Sequence, residues 1–262
     1  MPFLELPQHR LHFQTEGRED GPWLTFCNSL GTDLGMWAPQ VQALSSQYRI
    51  LRYDRRGHGQ SSAPPGVYRV SDLGADVLAL WDHLGIERSH FCGLSIGGLT
   101  GQWLGVHAGN RLRTLTVAAT AAKIGSAESW QARMAQVQHD GLLPLVDGTR
   151  ERWFTAGFAQ THASLVEDIL QRFLATSVEG YVGCCNAVGT ADFHGALARI
   201  QMPLLAIAGD DDPVCVPADL QAIASGAAHG AYAQVAGRHI CSLESPQAFT
   251  DALAAHLAQA TH

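Results

Sequence analysis

Short apolar runs alternate with helical segments along most of this chain, and no other feature limits its fold as strongly. Residues 10–14, 23–28, 49–53, 89–93, 112–119, 203–208 and 231–235 read as strands. Ser71 reads as the N-cap of a helix with Leu73, Val77, Leu80, Trp81 and Leu84 on one face, at i, i+4, i+7, i+8 and i+11. Further helices are expected from near Ile96, after Pro217, and from Ser245-Pro246 to about Ala258, the last with proline at its first position. Strands alternating with helices imply an α/β fold, with a mostly parallel central sheet covered by helices on both faces. Over 121–190 the alternation breaks into a mostly helical block that carries Trp130, Arg133, Trp153 and Gly183-Cys184-Cys185. Such a block predicts a helical lid above the strand C-termini, where open α/β sheets bind ligands. The expected division is a core of 1–120 and 191–262 with a lid of 121–190, one unit despite a length of 262 residues.

Composition narrows the function classes. Hydrophobic residues are 46% and charged residues 16%, enough apolar material for a large core and too much for a disordered chain. No apolar run approaches the roughly 18 residues of a membrane span. The formal charge of -7, from 24 acidic and 17 basic residues, argues against nucleic acid or an anionic membrane surface as partner. The basic set is sixteen arginines and one lysine, Lys123. The six cysteines lack metal-site spacing, Cys184 and Cys185 being adjacent, and the start MPFLELPQHR has no secretory pattern. Buried reduced thiols in a cytoplasmic protein are therefore expected.

The chemistry centres on Gly93-Leu94-Ser95-Ile96-Gly97, a G-x-S-x-G pattern. Alone this pattern is weak, but here it sits where a strand passes abruptly into a helix. Glycines there let the backbone bend and leave room around the serine, while the helix N-terminus favours developing negative charge. The alternative is a glycine-rich helix entry with an inert serine. A nucleophilic serine needs a base, and the base an orienting acid, each following a late strand in this arrangement. The strand at 203–208 runs into Gly209-Asp210-Asp211-Asp212, and that at 231–235 into Ala236-Gly237-Arg238-His239. The order Ser95, Asp212, His239 is thus met, with Asp210 as the alternative acid. The remaining histidines read as structural, including His58 in Arg56-Gly57-His58-Gly59, which precedes the serine in a turn. The oxyanion donors expected are the backbone N–H groups of Ile96 and of Leu30, the latter in Asn28-Ser29-Leu30-Gly31 after the strand at 23–28.

With these motifs placed, the chain resembles the α/β-hydrolase superfamily along its full length, and within it the 3-oxoadipate enol-lactonases of aromatic degradation. The core stretches that carry the resemblance are Asn28-Ser-Leu-Gly-Thr-Asp-Leu-Gly-Met-Trp37, Leu51-Arg-Tyr-Asp-Arg-Arg-Gly-His-Gly59 and His90-Phe-Cys-Gly-Leu-Ser-Ile-Gly-Gly98. Those in the lid are Thr120-Ala-Ala-Lys-Ile-Gly125, Glu151-Arg-Trp-Phe-Thr155 and Gly180-Tyr-Val-Gly-Cys-Cys185. Asn28-Ser29 stands where most of the superfamily has His-Gly, a form associated with the lactonases. Arg238 beside the histidine and Cys241 after it are minor departures. The resemblance implies an α/β-hydrolase fold with the lid inserted after the sixth strand. It also implies hydrolysis of 3-oxoadipate enol-lactone to 3-oxoadipate, with no metal or organic cofactor.

That substrate is a small anionic lactone, so its carboxylate in a lid-covered pocket needs a compensating cation. The lid candidates are Arg133 and Lys123. Arg133 follows Trp130 by three residues, so both can share one helix face as an aromatic wall beside a fork of donors. The alternative is that Trp130 is lid core and Arg133 a solvated helix charge. Carboxylesterases, carbon–carbon bond hydrolases and cofactor-free perhydrolases of the same fold would use the same three residues, so only the lid separates them. Dehalogenases and epoxide hydrolases of this fold use an aspartate nucleophile, which Ser95 excludes. A non-catalytic ligand receptor is a further class the fold supports, and an intact Ser-Asp-His set argues against it.

Overall fold

The computed structural model describes residues 2–259. Eight strands form one sheet: β1 (Phe3–Glu5), β2 (Arg10–Gly17), β3 (Trp23–Cys27), β4 (Arg49–Tyr53), β5 (Ser89–Leu94), β6 (Leu112–Ala118), β7 (Leu204–Gly209) and β8 (Gly230–Val235). Their spatial order is β1-β2-β4-β3-β5-β6-β7-β8. β2 pairs antiparallel with both β1 and β4, and every other pairing is parallel. All seven expected strands are present. β2 runs three residues further than the apolar run showed, because Thr15, Glu16 and Gly17 pair with Leu51, Ile50 and Arg49 of β4. β1 was not expected. Three residues are too few for a periodicity, and this strand is defined by its pairing with His12, Leu11 and Arg10. Its presence makes Leu112–Ala118 the sixth strand.

β5 lies in the middle of the sheet, and each of its six residues is buried. Parallel strands covered on both faces read as unbroken apolar runs, so its polar members need partners inside. Ser89 Oγ meets Thr25 Oγ1 at 2.9 Å and His90 Nδ1 meets Thr114 Oγ1 at 2.9 Å, both across neighbouring strands. Burial and the nearby Arg113 charge push the His90 pKa down to about 4.

The core helices are α1 (Ala38–Leu44), α2 (Val70–His83), α3 (Ile96–His107), α9 (Pro217–Gly226), α10 (Cys241–Glu244) and α11 (Pro246–Ala258). α2 corrects the expected cap: Arg69, not Ser71, holds the N-cap position. The Asp72 carboxylate three residues on accepts the Arg69 N–H at 2.7 Å, so the acid at N3 ends the helix where a hydroxyl was expected to. Leu73, Val77, Leu80 and Trp81 are buried as the spacing requires, whereas Leu84 caps the helix and is half-buried.

Between β6 and β7 lie α4 (Ala127–Asp140), α5 (Val146–Trp153), α6 (Ala156–Thr161), α7 (Ala163–Leu174) and α8 (Val178–Thr190). α4 starts at Ser126, whose hydroxyl accepts the Ser129 N–H at 3.2 Å. α7 buries Val166, Leu170 and Phe173 at i, i+4 and i+7. Phe173 meets Trp153 and Tyr181 edge-on, with centroids 5.7 Å and 5.8 Å apart, so one aromatic cluster joins α5, α7 and α8. Among the described residues no helix is long and apolar enough to cross a membrane. All six cysteines are buried and free.

Candidate active site

Ser95 stands at the turn from β5 into α3 with φ 60° and ψ -117°, a conformation costly for any residue with a Cβ. Three backbone bonds hold it there. Its N–H donates to the Ala118 carbonyl at 2.9 Å, and its carbonyl accepts from Thr120 Oγ1 at 2.8 Å and from the Leu99 N–H at 3.0 Å. The flanking glycines are required by packing. A Cβ on Gly93 would lie 2.1 Å from the Gly97 carbonyl oxygen, and one on Gly97 would lie 2.3 Å from that of Cys27. The sharp turn and the close seating of α3 on β3 therefore both depend on the G-x-S-x-G spacing.

The three consecutive aspartates after β7 take different partners. Asp210 accepts the Gly237 N–H at 2.8 Å and Asp211 pairs with Arg238 Nε at 2.8 Å, so both brace the loop that carries His239. Asp212 alone reaches the ring, with Oδ2 2.9 Å from His239 Nδ1. Its other oxygen accepts the N–H groups of Val214 at 2.8 Å and Cys215 at 3.2 Å. A carboxylate so placed fixes the imidazole with its proton on Nδ1 and Nε2 free to act as base. Arg238 and Cys241 do not disturb this arrangement: Arg238 is occupied by Asp211 and the Glu151 carbonyl, and Cys241 is buried.

Ser95 and His239 line one cavity of about 190 Å³. Leu30 lines it too. The Ser29, Gly31 and Thr32 N–H groups donate to Met36 Sδ, His58 Nε2 and the Ser29 carbonyl, whereas that of Leu30 has no acceptor among the described residues. Ile96 opens α3, so its N–H is one of the helix-terminal donors without an intrahelical acceptor.

The block between β6 and β7 supplies the rest of the wall. Trp130 and Arg133 of α4 both face the cavity, with the Arg133 guanidinium carbon 5.7 Å from the Trp130 ring centroid. Arg133 Nη1 lies 3.4 Å from the Tyr181 hydroxyl, whose pKa burial pushes up to about 12. Lys123 is not brought to this site. It is exposed and paired with Asp192 at 3.5 Å, which corrects the expectation that the one lysine faces the pocket. Arg152 of α5 falls in the Glu151–Thr155 stretch that carries the resemblance but was not among the expected substrate-binding residues, and it does line the cavity. Its hydrogen-bond partner is Thr149 Oγ1 at 3.2 Å, and burial together with the neighbouring Arg133 charge lowers its pKa. Neither Arg133 nor Arg152 has a carboxylate partner among the described residues. Two guanidinium groups that repel each other in one partly desolvated cavity have the chemistry to accept an anion.

α5 is also tied to His239. The N–H groups of His239 and Ile240 donate to the carbonyls of Arg152 and Trp153 at 3.3 Å and 3.1 Å, using carbonyls left free at the helix C-terminus. A metal would find its donors engaged. Ligand atoms of Asp212, Cys215 and His239 lie within 4.8 Å of one another, but the carboxylate already serves the ring and two N–H groups. Burial meanwhile holds the Cys215 thiol well above its usual range.

Comparison with known proteins agrees with this geometry. Residues 22–240 match the alpha/beta hydrolase fold family model. The chain is 45% identical over 245 residues to 3-oxoadipate enol-lactonase 2 of Acinetobacter baylyi, covering 94% of this chain and 92% of the relative. It is 41% identical over 239 residues to 3-oxoadipate enol-lactonase 1 of the same organism, covering 91% and 90%. The crystal structure of the enol-lactonase from Burkholderia xenovorans superposes with a TM-score of 0.96 at 39% identity, covering 98% of this chain and 100% of that one. With a serine on the strand-to-helix turn, an Asp–His pair after the late strands and this match along its length, the chain belongs to the alpha/beta-hydrolase family.

Proposed function

We propose that this protein hydrolyses 3-oxoadipate enol-lactone to 3-oxoadipate, with Ser95 as nucleophile, His239 as base and Asp212 as the acid that orients it. The observation that carries the reading is one cavity in which Ser95 and His239 face two arginines with no carboxylate partner among the described residues. An ester hydrolase site of this kind suits a substrate that is itself an anion. The relatives named enol-lactonases support the same substrate. A carboxylesterase for neutral esters would leave the two cations without a partner. The residues 1–120 and 191–262 form the catalytic core in this reading, and 121–190 the lid that brings the cations over it. The absence of a membrane-spanning helix among the described residues and the six free thiols fit a protein of the cytoplasm.

The lactone carboxylate rests against Arg133 and Arg152, with Trp130 as an apolar wall. His239 Nε2 takes the Ser95 proton as Oγ bonds to the lactone carbonyl carbon. The tetrahedral oxyanion is held by the N–H groups of Ile96 and Leu30, at the positive end of α3. Collapse breaks the ring C–O bond, and His239 returns the proton to the departing enol oxygen. An enol is a better leaving group than an alkoxide, and its tautomerisation to the ketone draws the ring opening forward. Water, deprotonated by His239, then attacks the acyl-serine, and the second collapse frees Ser95 and the new carboxylate. Replacement Ser95→Ala tests the assignment with freshly generated enol-lactone. Turnover should fall by at least about a thousandfold, and a variant retaining more than a few per cent of wild-type turnover would refute it.

A further inference from the structure

His58, which the steps above do not use, lies beneath the loop that supplies Leu30. The turn after β4 grips that loop at three points. Arg55 donates to the Asn28 carbonyl, His58 Nε2 accepts the Gly31 N–H at 2.9 Å, and Asp54 Oδ1 accepts the Leu34 N–H at 2.8 Å. The Ser29 carbonyl is held separately, by the Thr32 N–H at 3.3 Å and Thr32 Oγ1 at 2.9 Å. The Leu30 N–H lies in one peptide plane with the Ser29 carbonyl and points opposite to it, so the Thr32 bonds aim it; the Gly31 N–H belongs to the next plane, and holding that plane as well locks the Leu30 φ and ψ between the two. Gly31 has φ +78°, and a Cβ there would meet Phe173 at 2.6 Å, so the loop has no room to relax toward α7.

We propose that His58 is a positioning residue for the oxyanion site: its Nε2 lone pair, by accepting the Gly31 N–H, locks the peptide plane that follows Leu30 and so keeps the Leu30 N–H from swinging away from the cavity. The inference rests on Leu30 as an oxyanion donor, the reading given above. Accepting at Nε2 requires a neutral ring with its proton on Nδ1, which faces the Arg56 carbonyl at 3.3 Å. Burial and the adjacent Arg55 charge keep the ring in that form, with a pKa near 3. A protonated ring could only donate and would push the Gly31 N–H away.

The test compares His58→Leu with His58→Gln, whose side-chain oxygen can take the place of Nε2 as acceptor. Loss of a whole oxyanion donor costs about 10²–10³ in turnover, so a misdirected one in His58→Leu should cost about 10- to 100-fold in kcat with KM within about twofold. His58→Gln should stay within about fivefold of wild type, a rescue that packing volume alone would not give. A second readout is the rate at which a neutral aryl phosphonate labels Ser95, which should fall in step with kcat. It needs no lactone, so a protein that labels normally but ignores the lactone would count against the substrate and not against His58. Equal losses in the two variants, or an unimpaired His58→Leu, would overturn the proposal. If His58→Leu does not fold, His58→Asn replaces it, because its shorter amide stops short of Gly31. Activity kept by Gln and lost by Asn supports the acceptor role, and equal activity overturns it.

Discussion

Removing Arg133 should weaken binding of the anionic lactone and spare the chemical step. The guanidinium is half-buried, lies against Trp130 and contacts the Tyr181 hydroxyl, with no carboxylate among the described residues to neutralise it. Hydrogen bonds to a charged group contribute about 1.5–3 kcal/mol, which is a loss of about 10- to 150-fold in kcat/KM for Arg133→Ala. The carboxymethyl group is remote from the scissile bond, so the contact is made equally in ground and transition states. The loss should therefore appear in KM, with kcat within about threefold of wild type. Arg152 still faces the carboxylate in that variant and is relieved of its neighbour's charge, so the double variant should lose more than the product of the single losses. Steady-state kinetics with the lactone, beside a neutral aryl ester of similar size, give the decisive comparison. The neutral ester should change by less than about twofold, since no charge is being compensated. An unchanged KM for the lactone would refute the carboxylate clamp. So would equal losses on both substrates, which would mean that Arg133 shapes the cavity and does not read charge.

The remaining expectations concern the acid, the buried histidines and the cost of the cation pair. Asp212→Asn should lower kcat by about 10⁴-fold through the wrong imidazole tautomer, whereas Asp210→Asn should stay within about tenfold; reversed effects would reassign the acid. His58 and His90 have folded pKa values of about 3 and about 4, below the unfolded value of 6.5. Their neutral forms stabilise the fold fully above pH 6.5, and that contribution is lost as pH falls toward the folded values. Between pH 6.5 and 4.5 the pair should cost about 4 kcal/mol in urea unfolding free energy. About half of that loss should vanish in His58→Gln, and an unchanged pH slope there would show that His58 does not resist protonation. Arg152→Met should raise the melting temperature by about 2–4 °C, corresponding to about 1 kcal/mol of relieved repulsion and desolvation. A lower melting temperature would show that Arg152 is held by contacts that outweigh its charge.

Residues were legible in the sequence where backbone geometry dictates residue type. Ser95 could be placed because a strand must turn sharply into a helix there, with glycine on both sides, and His239 because it follows the last strand of the sheet. Asp212 is preferred from the sequence with Asp210 as the alternative, but what separates the three aspartates is visible only in coordinates: their chemistry is identical, and they differ in reaching Gly237, Arg238 or His239. Arg152 was hidden for a similar reason. In Val146–Trp153, Arg150 turns outward to Glu167 at 3.4 Å while Arg152 turns into the cavity, and in so short a polar helix no periodicity separates the two. Lys123 drew attention by being the one lysine, but rarity reflects codon and residue usage, whereas location is set by packing.

The charge of -7 also reads differently once the pairs are in place. Arg18, Arg52, Arg56, Arg111, Arg172 and Arg238 each meet an aspartate or glutamate. Arg133 and Arg152 face the cavity without one among the described residues. Beyond a Debye length of about 10 Å at 0.1 M salt the acidic surface is screened, and inside the cavity the nearest charges dominate. An anion that reaches the mouth of the pocket therefore meets a locally positive site on a globally negative protein. The surface excess of acid discourages polyanions, whose many charges cannot all enter. A single carboxylate small enough for the cavity would escape that penalty, so on the proposed function the same charge distribution would select by size as well as by sign.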